Sequence, residues 1–305
     1  MPRMTDPQRE TMQLQDGEIS FLEWPGTGPR LLFSHATGFN AETYRSLLQP
    51  LSDRMHVFAT DARGHGFTSL PATPGVAKDW IIYRDDLVRF LDGLDGRPTI
   101  LAGHSMGATV SVMAALLRPD LVRGLVLIEP VFAPKLTLWL RFLRAVSPRR
   151  RTPALAERAA RRRDTFDSPD AVFEGYKGRG AFQTWPDDVL RDYLEGGVFL
   201  LDDGVRVRLA CTPAWEAETF SSTPFGVTSI VGPLQCPVTI LYAGQSSTCP
   251  DSQAALFARN HKGTRRVRIA KASHFLPMEY PDVTREEIWR MAKMLDVEEN
   301  VKIRR

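Results

Sequence analysis

The chain has 305 residues, a formal net charge of +3 at pH 7, 43% hydrophobic residues and 25% charged residues. These values fit a folded globular protein; they exclude a mainly disordered chain, and so small a net charge gives no global case for a nucleic-acid partner. Cys211, Cys236 and Cys249 lack C-x-x-C spacing, which suggests neither a zinc site nor a disulfide framework.

In chain order, residues 1–17 are polar and lack the apolar core of a signal peptide. Residues 19–24 and 31–33 then read as two strands joined in a hairpin by the turn Pro25-Gly26-Thr27-Gly28-Pro29. A strand at 57–60, a helix at 80–94, a strand at 99–102, a helix at 106–117 and a strand at 125–128 follow. Strands alternating with helices imply crossovers, hence a mostly parallel sheet covered on both faces.

That rhythm breaks after Glu129-Pro130. For about a hundred residues the chain is helix-like, rich in Arg and aromatic residues, and without a clear buried strand. The alternation resumes with a strand at 238–242, a helix at 251–259, a strand at 266–269 and a helix at 283–295; the last ten residues read as a fraying tail. This pattern predicts an α/β core in two parts, 1–130 and 232–305, with a mainly helical cap inserted at 131–231. No run reaches the roughly 20 apolar residues of a membrane span, so a soluble, cytoplasmic protein is expected.

Gly103-His104-Ser105-Met106-Gly107 places a serine between two glycines, after a buried strand and before a helix. Such a turn brings the strand and helix backbones too close for a Cβ at the flanking positions and projects the central side chain. Ser105 is the candidate nucleophile. A serine hydroxyl needs a base within hydrogen-bond reach, and His274 is best placed because it follows the last predicted strand, whose end emerges on the same sheet edge. His35, His56, His65, His104 and His261 are assigned structural or solvated roles.

Four pieces, taken in order, resemble the α/β-hydrolase superfamily: Ser34-His35-Ala36-Thr37-Gly38-Phe39, Asp61-Ala62-Arg63-Gly64-His65-Gly66, the turn from Gly103 to Gly107, and His274-Phe275-Leu276-Pro277-Met278-Glu279. The resemblance covers the whole core and implies that the second piece is a structural turn beside the site. One oxyanion donor is expected from the backbone N–H of Met106, which follows the nucleophile. By resemblance the second comes from Thr37, although Ala36 stands where relatives usually carry glycine.

The third triad member departs from the commonest pattern. Many relatives carry Gly-x-x-Asp after the strand matching 238–242, but here Gly244-Gln245-Ser246-Ser247 ends in serine. Asp251, four residues on, follows a proline and opens a helix, an N-cap signature. Glu129 ends the buried strand at 125–128, where an unpaired carboxylate would be costly, and some branches of the superfamily place the acid there. Glu129 is therefore the expected acid and Asp251 the alternative.

Between Trp139 and Arg163 lie Arg141, Arg144, Arg149, Arg150, Arg151, Arg158, Arg161, Arg162 and Arg163, read as a charged solvent face or as an attraction for an anionic membrane surface or acidic substrates. The cap aromatics Trp139, Phe166, Phe173, Tyr176, Phe182, Trp185, Phe199, Trp215 and Phe220 divide between packing and pocket. The expected function is a serine hydrolase of apolar small-molecule esters or lactones, with no cofactor and no metal. Acyl transfer or perhydrolysis by the same residues, and a non-catalytic binding role, are the alternatives; the oligomeric state stays open.

Overall fold

The computed structural model describes residues 6–77, 79–135 and 153–303. Its main sheet begins with β1 (Gln8–Leu14), β2 (Gly17–Trp24), β3 (Arg30–Ser34) and β4 (His56–Thr60). It continues with β5 (Thr99–His104) and β6 (Val122–Ile128), and closes with β10 (Val238–Ala243) and β11 (Thr264–Ile269). The spatial order is β1-β2-β4-β3-β5-β6-β10-β11. From β4 to β11 the pairs are parallel, whereas β1 with β2 and β2 with β4 are antiparallel.

The central strands β3, β5 and β10 are buried at every position, as strands covered on both faces must be. Alternate residues feed two separate cores. Leu31, Phe33, Ile100, Ala102, Val126 and Ile128 join one, with Ile288, Met291 and Leu295 of the long helix α10 (Pro281–Ile303). Leu32, Leu101, Leu125 and Leu127 join the other, with Leu87 and Phe90 of α2 (Ile81–Gly93), Val112 of α3 (Met106–Leu117) and Phe257 of α8 (Asp251–Asn260).

Two expectations are corrected. The hairpin pairs β1 with β2, not β2 with β3; β2 instead lies beside β4, two places from β3. β1 escaped notice because an edge strand whose side chains are mostly exposed or half-exposed carries no apolar alternation. The tail read as frayed is helical through Ile303, because Met291, Ala292 and Leu295 anchor the preceding turns against the sheet.

Between β6 and β10 lie α4 (Ala154–Ala160), β7 (Thr165–Phe166), α5 (Pro169–Tyr176), α6 (Asp187–Gly197), β8 (Val198–Leu200), β9 (Val207–Leu209) and α7 (Pro213–Ser221). The three short strands form a second antiparallel sheet, β7-β9-β8, that the sequence pattern did not reveal. Strands of two or three residues leave too few positions for a period to register. Among the described residues no helix is long and apolar enough to cross a membrane.

Candidate active site

The end of β5 and the start of α3 meet at Ser105, whose backbone has φ 55° and ψ −114°. A side chain in that region is strained, and the turn is tight enough to require it. A Cβ on Gly103 would lie 2.5 Å from the carbonyl carbon of Gly107, and one on Gly107 would lie 2.1 Å from the carbonyl oxygen of Ser34. Both flanking glycines are therefore steric necessities. The Ser105 N–H donates to the Ile128 carbonyl at 2.9 Å, which fixes the turn to the end of β6.

His274 arrives from the loop after β11 with its Nε2 3.1 Å from Ser105 Oγ. Its Nδ1 lies 3.1 Å from Glu129 Oε2. A carboxylate only accepts, so Nδ1 carries the proton and Nε2 is left to accept from the serine hydroxyl. Glu129 is fully buried, and its own φ of 49° turns the side chain back across the end of β10.

Four donors meet that carboxylate. On Oε1 they are the Ala243 N–H at 2.5 Å and the Ser247 hydroxyl at 2.7 Å. On Oε2 they are the Thr248 N–H at 3.0 Å and the His274 ring. Ser247, which stands where an aspartate was looked for, thus serves the glutamate instead. Thr248 Oγ1 donates to the Glu129 carbonyl at 2.9 Å and sits 3.2 Å from His274 Nδ1. These two hydroxyl residues were missed in the sequence, because nothing in a loop of small polar residues announces which acceptor they face.

Asp251 is not brought to the histidine. It opens α8 in the first turn, with Pro250 at the N-cap, and accepts from the Tyr242 hydroxyl at 2.6 Å.

Thr37 and Met106 face one another, Thr37 Oγ1 lying 3.5 Å from Met106 Sδ. The amides flanking Thr37 are taken: Ala36 N–H donates to the Tyr44 hydroxyl at 3.2 Å and Gly38 N–H to His65 Nε2 at 3.0 Å. The Gly107 N–H likewise donates to the His35 carbonyl at 3.2 Å. Among the described residues neither the Thr37 N–H nor the Met106 N–H has a protein acceptor. Two unspent amides on converging loops form the arrangement that an oxyanion needs.

The other histidines are occupied elsewhere. His35 Nε2 accepts the Ala62 N–H at 2.8 Å, reciprocating the His65 bond to Gly38 and latching the two loops together. Burial pushes His35 down to about 4, and burial together with the neighbouring His35 pushes His65 down to about 3, so both remain neutral acceptors. His56 pairs with Glu23 at 2.6 Å and His261 with Thr264 at 3.0 Å.

Beside His274, Phe39, Trp185, Tyr193 and Phe275 form an aromatic wall. Ring centroids are 5.1 Å apart for Phe39 and Trp185, 5.8 Å for Phe39 and Tyr193, and 5.9 Å for Trp185 and Phe275. Trp215 packs instead: its indole N–H donates to the Arg63 carbonyl at 3.0 Å and its ring fills the space above Gly64. Of the basic run, Arg141, Arg144, Arg149, Arg150 and Arg151 lie outside the described residues, as does Trp139. Arg162 faces inward, donating to Glu216 at 2.5 Å and to the Tyr176 hydroxyl at 3.0 Å. Burial works against its charge, but Tyr193, Glu216 and Tyr176 together keep the guanidinium firmly protonated.

A family model described as the alpha/beta hydrolase family matches residues 31–287. A 2-(acetamidomethylene)succinate hydrolase of Mesorhizobium japonicum is 31% identical over 86% of this chain and 87% of its own length. An esterase of Mycobacterium tuberculosis is 26% identical over 90% of this chain and 86% of its own length. Among solved structures, that of an E-2-(acetamidomethylene)succinate hydrolase superposes with a TM-score of 0.78 at 27% identity, covering 94% of this chain and 99% of the other. The relatives are hydrolases, and the chain belongs to the alpha/beta hydrolase family.

Proposed function

We propose that the protein is a serine hydrolase that cleaves carboxylic esters or lactones through an acyl-enzyme on Ser105. The observation that carries this reading is the pair of 3.1 Å contacts that run from Ser105 Oγ through the two nitrogens of His274 to Glu129. Ser105 Oγ attacks the substrate carbonyl while His274 Nε2 takes its proton. The negative charge that develops on the carbonyl oxygen is met by the Thr37 and Met106 N–H groups. Collapse of the tetrahedral intermediate expels the alcohol, which takes the proton back from His274; water then repeats the sequence and releases the acid.

Glu129 keeps Nδ1 protonated and stabilises the imidazolium that forms in each half-reaction. Four donors meet its carboxylate, which orients the ring in this reading. Residues 131–231 act as a cap in this reading, since Trp185 and Tyr193 bring aromatic surface from that segment against Phe39 and Phe275. Such walls favour apolar acyl or alcohol groups.

A second reading is favoured by the relative from Mesorhizobium japonicum, whose named substrate is an amide that bears two carboxylates. The same residues suit amide cleavage or transfer of the acyl group to an acceptor other than water. Labelling of Ser105 by a fluorophosphonate, abolished in Ser105→Ala, tests the nucleophile. A panel of graded esters, lactones and carboxylated enamides, run with and without a competing alcohol, then decides the substrate class. Absence of labelling would remove both readings.

A further inference from the structure

Resting on that reading, we propose that Tyr44 and His104 are positioning residues, forming a buried hydrogen-bonded link that holds the oxyanion loop at Ala36–Thr37 in register with the backbone of His274. The link consists of the Ala36 N–H on Tyr44 Oη at 3.2 Å, Tyr44 Oη against His104 Nδ1 at 2.7 Å, and His104 Nε2 against the His274 carbonyl at 2.8 Å.

The direction of every bond is forced. A carbonyl only accepts, so His104 Nε2 must carry hydrogen. His104 is fully buried, and burial followed by the neighbouring His274 ring drives its pKa well below the usual value, so the imidazole is neutral and Nδ1 is bare. Nδ1 must then accept the Tyr44 hydroxyl hydrogen, and a lone pair on Tyr44 Oη takes the Ala36 N–H. Tyr44 is 1% exposed and Ala36 3% exposed, so water has little access to replace any of these bonds.

Each end of the link reaches a different part of the proposed machinery. At one end the amide before Thr37 is tied to Tyr44 while the amide after it is tied to His65, which leaves the Thr37 N–H unspent between two fixed neighbours. At the other end the carbonyl of the base residue is held directly. The four residues come from the loop after β3, the short helix that follows it, the end of β5 and the loop after β11, so no local secondary structure sets this register. His104 immediately precedes the proposed nucleophile and is the side chain that reaches across to the base loop.

Tyr44→Phe tests the link because it keeps the ring against Phe33, 4.5 Å away, and removes only the oxygen. Active sites are first counted with a fluorophosphonate, so that kcat is expressed per labelled serine. The expected result is a fall in kcat of about 10- to 100-fold with KM changed by less than about threefold, a matching loss of affinity for a boronic acid that mimics the tetrahedral intermediate, and native melting behaviour. His104→Asn should cause a comparable loss, and the double variant no more than the worse single one.

Several results would overturn the link: a kcat within about twofold of the parent, losses in the two variants that multiply, or a lower count of labelled sites with unchanged turnover per site. If Tyr44→Phe does not fold, His104→Asn carries the same test through the boronic acid alone. Failure of the parent itself to label would instead remove the serine-hydrolase reading, which separates the two claims.

Discussion

The loops after β6 and β10 lie side by side on one edge of the sheet, and either could supply a carboxylate to His274. The first does, through Glu129; the second offers Ser247 and Thr248, which donate to that carboxylate. In the proposed triad, the difference teaches that the carboxylate can stand at the end of either of two neighbouring strands, provided that it reaches the same ring nitrogen. β6 and β10 pair directly, Ile128 opposite Leu241, so moving the carboxylate from one to the other crosses a single strand spacing of about 4.8 Å.

Several experiments bear on this comparison. Glu129→Gln should have the largest effect, lowering kcat by about a thousand- to ten-thousand-fold with the fold retained. Both carboxylate oxygens already receive an N–H, from Ala243 and from Thr248, so the new amide must set its own donor against one of them. Undiminished ester turnover in that variant would show that the acid lies elsewhere. Adding Ser247→Asp to Glu129→Gln should restore at least about tenfold of the lost kcat, because the second loop would then supply the carboxylate. If the double variant stays as slow as the single one, the two strand ends are not interchangeable.

The neutrality of the buried histidines can be tested by pH. His35 and His65 have folded-state values of about 4 and about 3, below an unfolded value near 6.5, so the unfolded chain binds more protons between those limits. Their stabilising contribution is complete above about pH 6.5 and falls as pH drops towards about 4, by up to about 1.4 kcal/mol per pH unit for each histidine. Denaturant titrations should show this slope equally in the parent and in the Ser247→Asp transplant. A slope that changes with the transplant would tie it to the acid loop instead.

Ser247→Ala should cost less, about tenfold in kcat, since it removes one of four donors from a buried anion. Asp251→Asn should be the mildest, with kcat within about twofold, because Asp251 bonds Tyr242 and not His274. A large loss there would return Asp251 to the site.

How much of this could be read from the residues depends on how each feature is encoded. Ser105 was legible because three constraints coincide in consecutive residues: a buried strand, a turn too tight for flanking Cβ atoms, and a helix start. Glu129 was legible as a charge ending an apolar strand. By contrast, Ser247, Thr248 and Tyr44 act through where their hydroxyl groups point, which the sheet order decides and no local pattern records. The strands β7, β8 and β9 were hidden by their brevity, and β1 by its polar exposure at a sheet edge.

The pairing of β10 with β6 has a consequence for how the protein is made. Glu129 and His274 are 145 residues apart, and strand contacts so distant in sequence form late. At about 5–20 residues per second, the ribosome delivers the histidine roughly 7–30 s after the glutamate. In the proposed triad, the nascent chain during that interval holds Ser105 and Glu129 but lacks His274, and labelling of Ser105 is expected to be absent. Under that proposal, labelling of Ser105 would report that the last strand and its loop have docked, which would make active-site labelling a clock for the completion of folding.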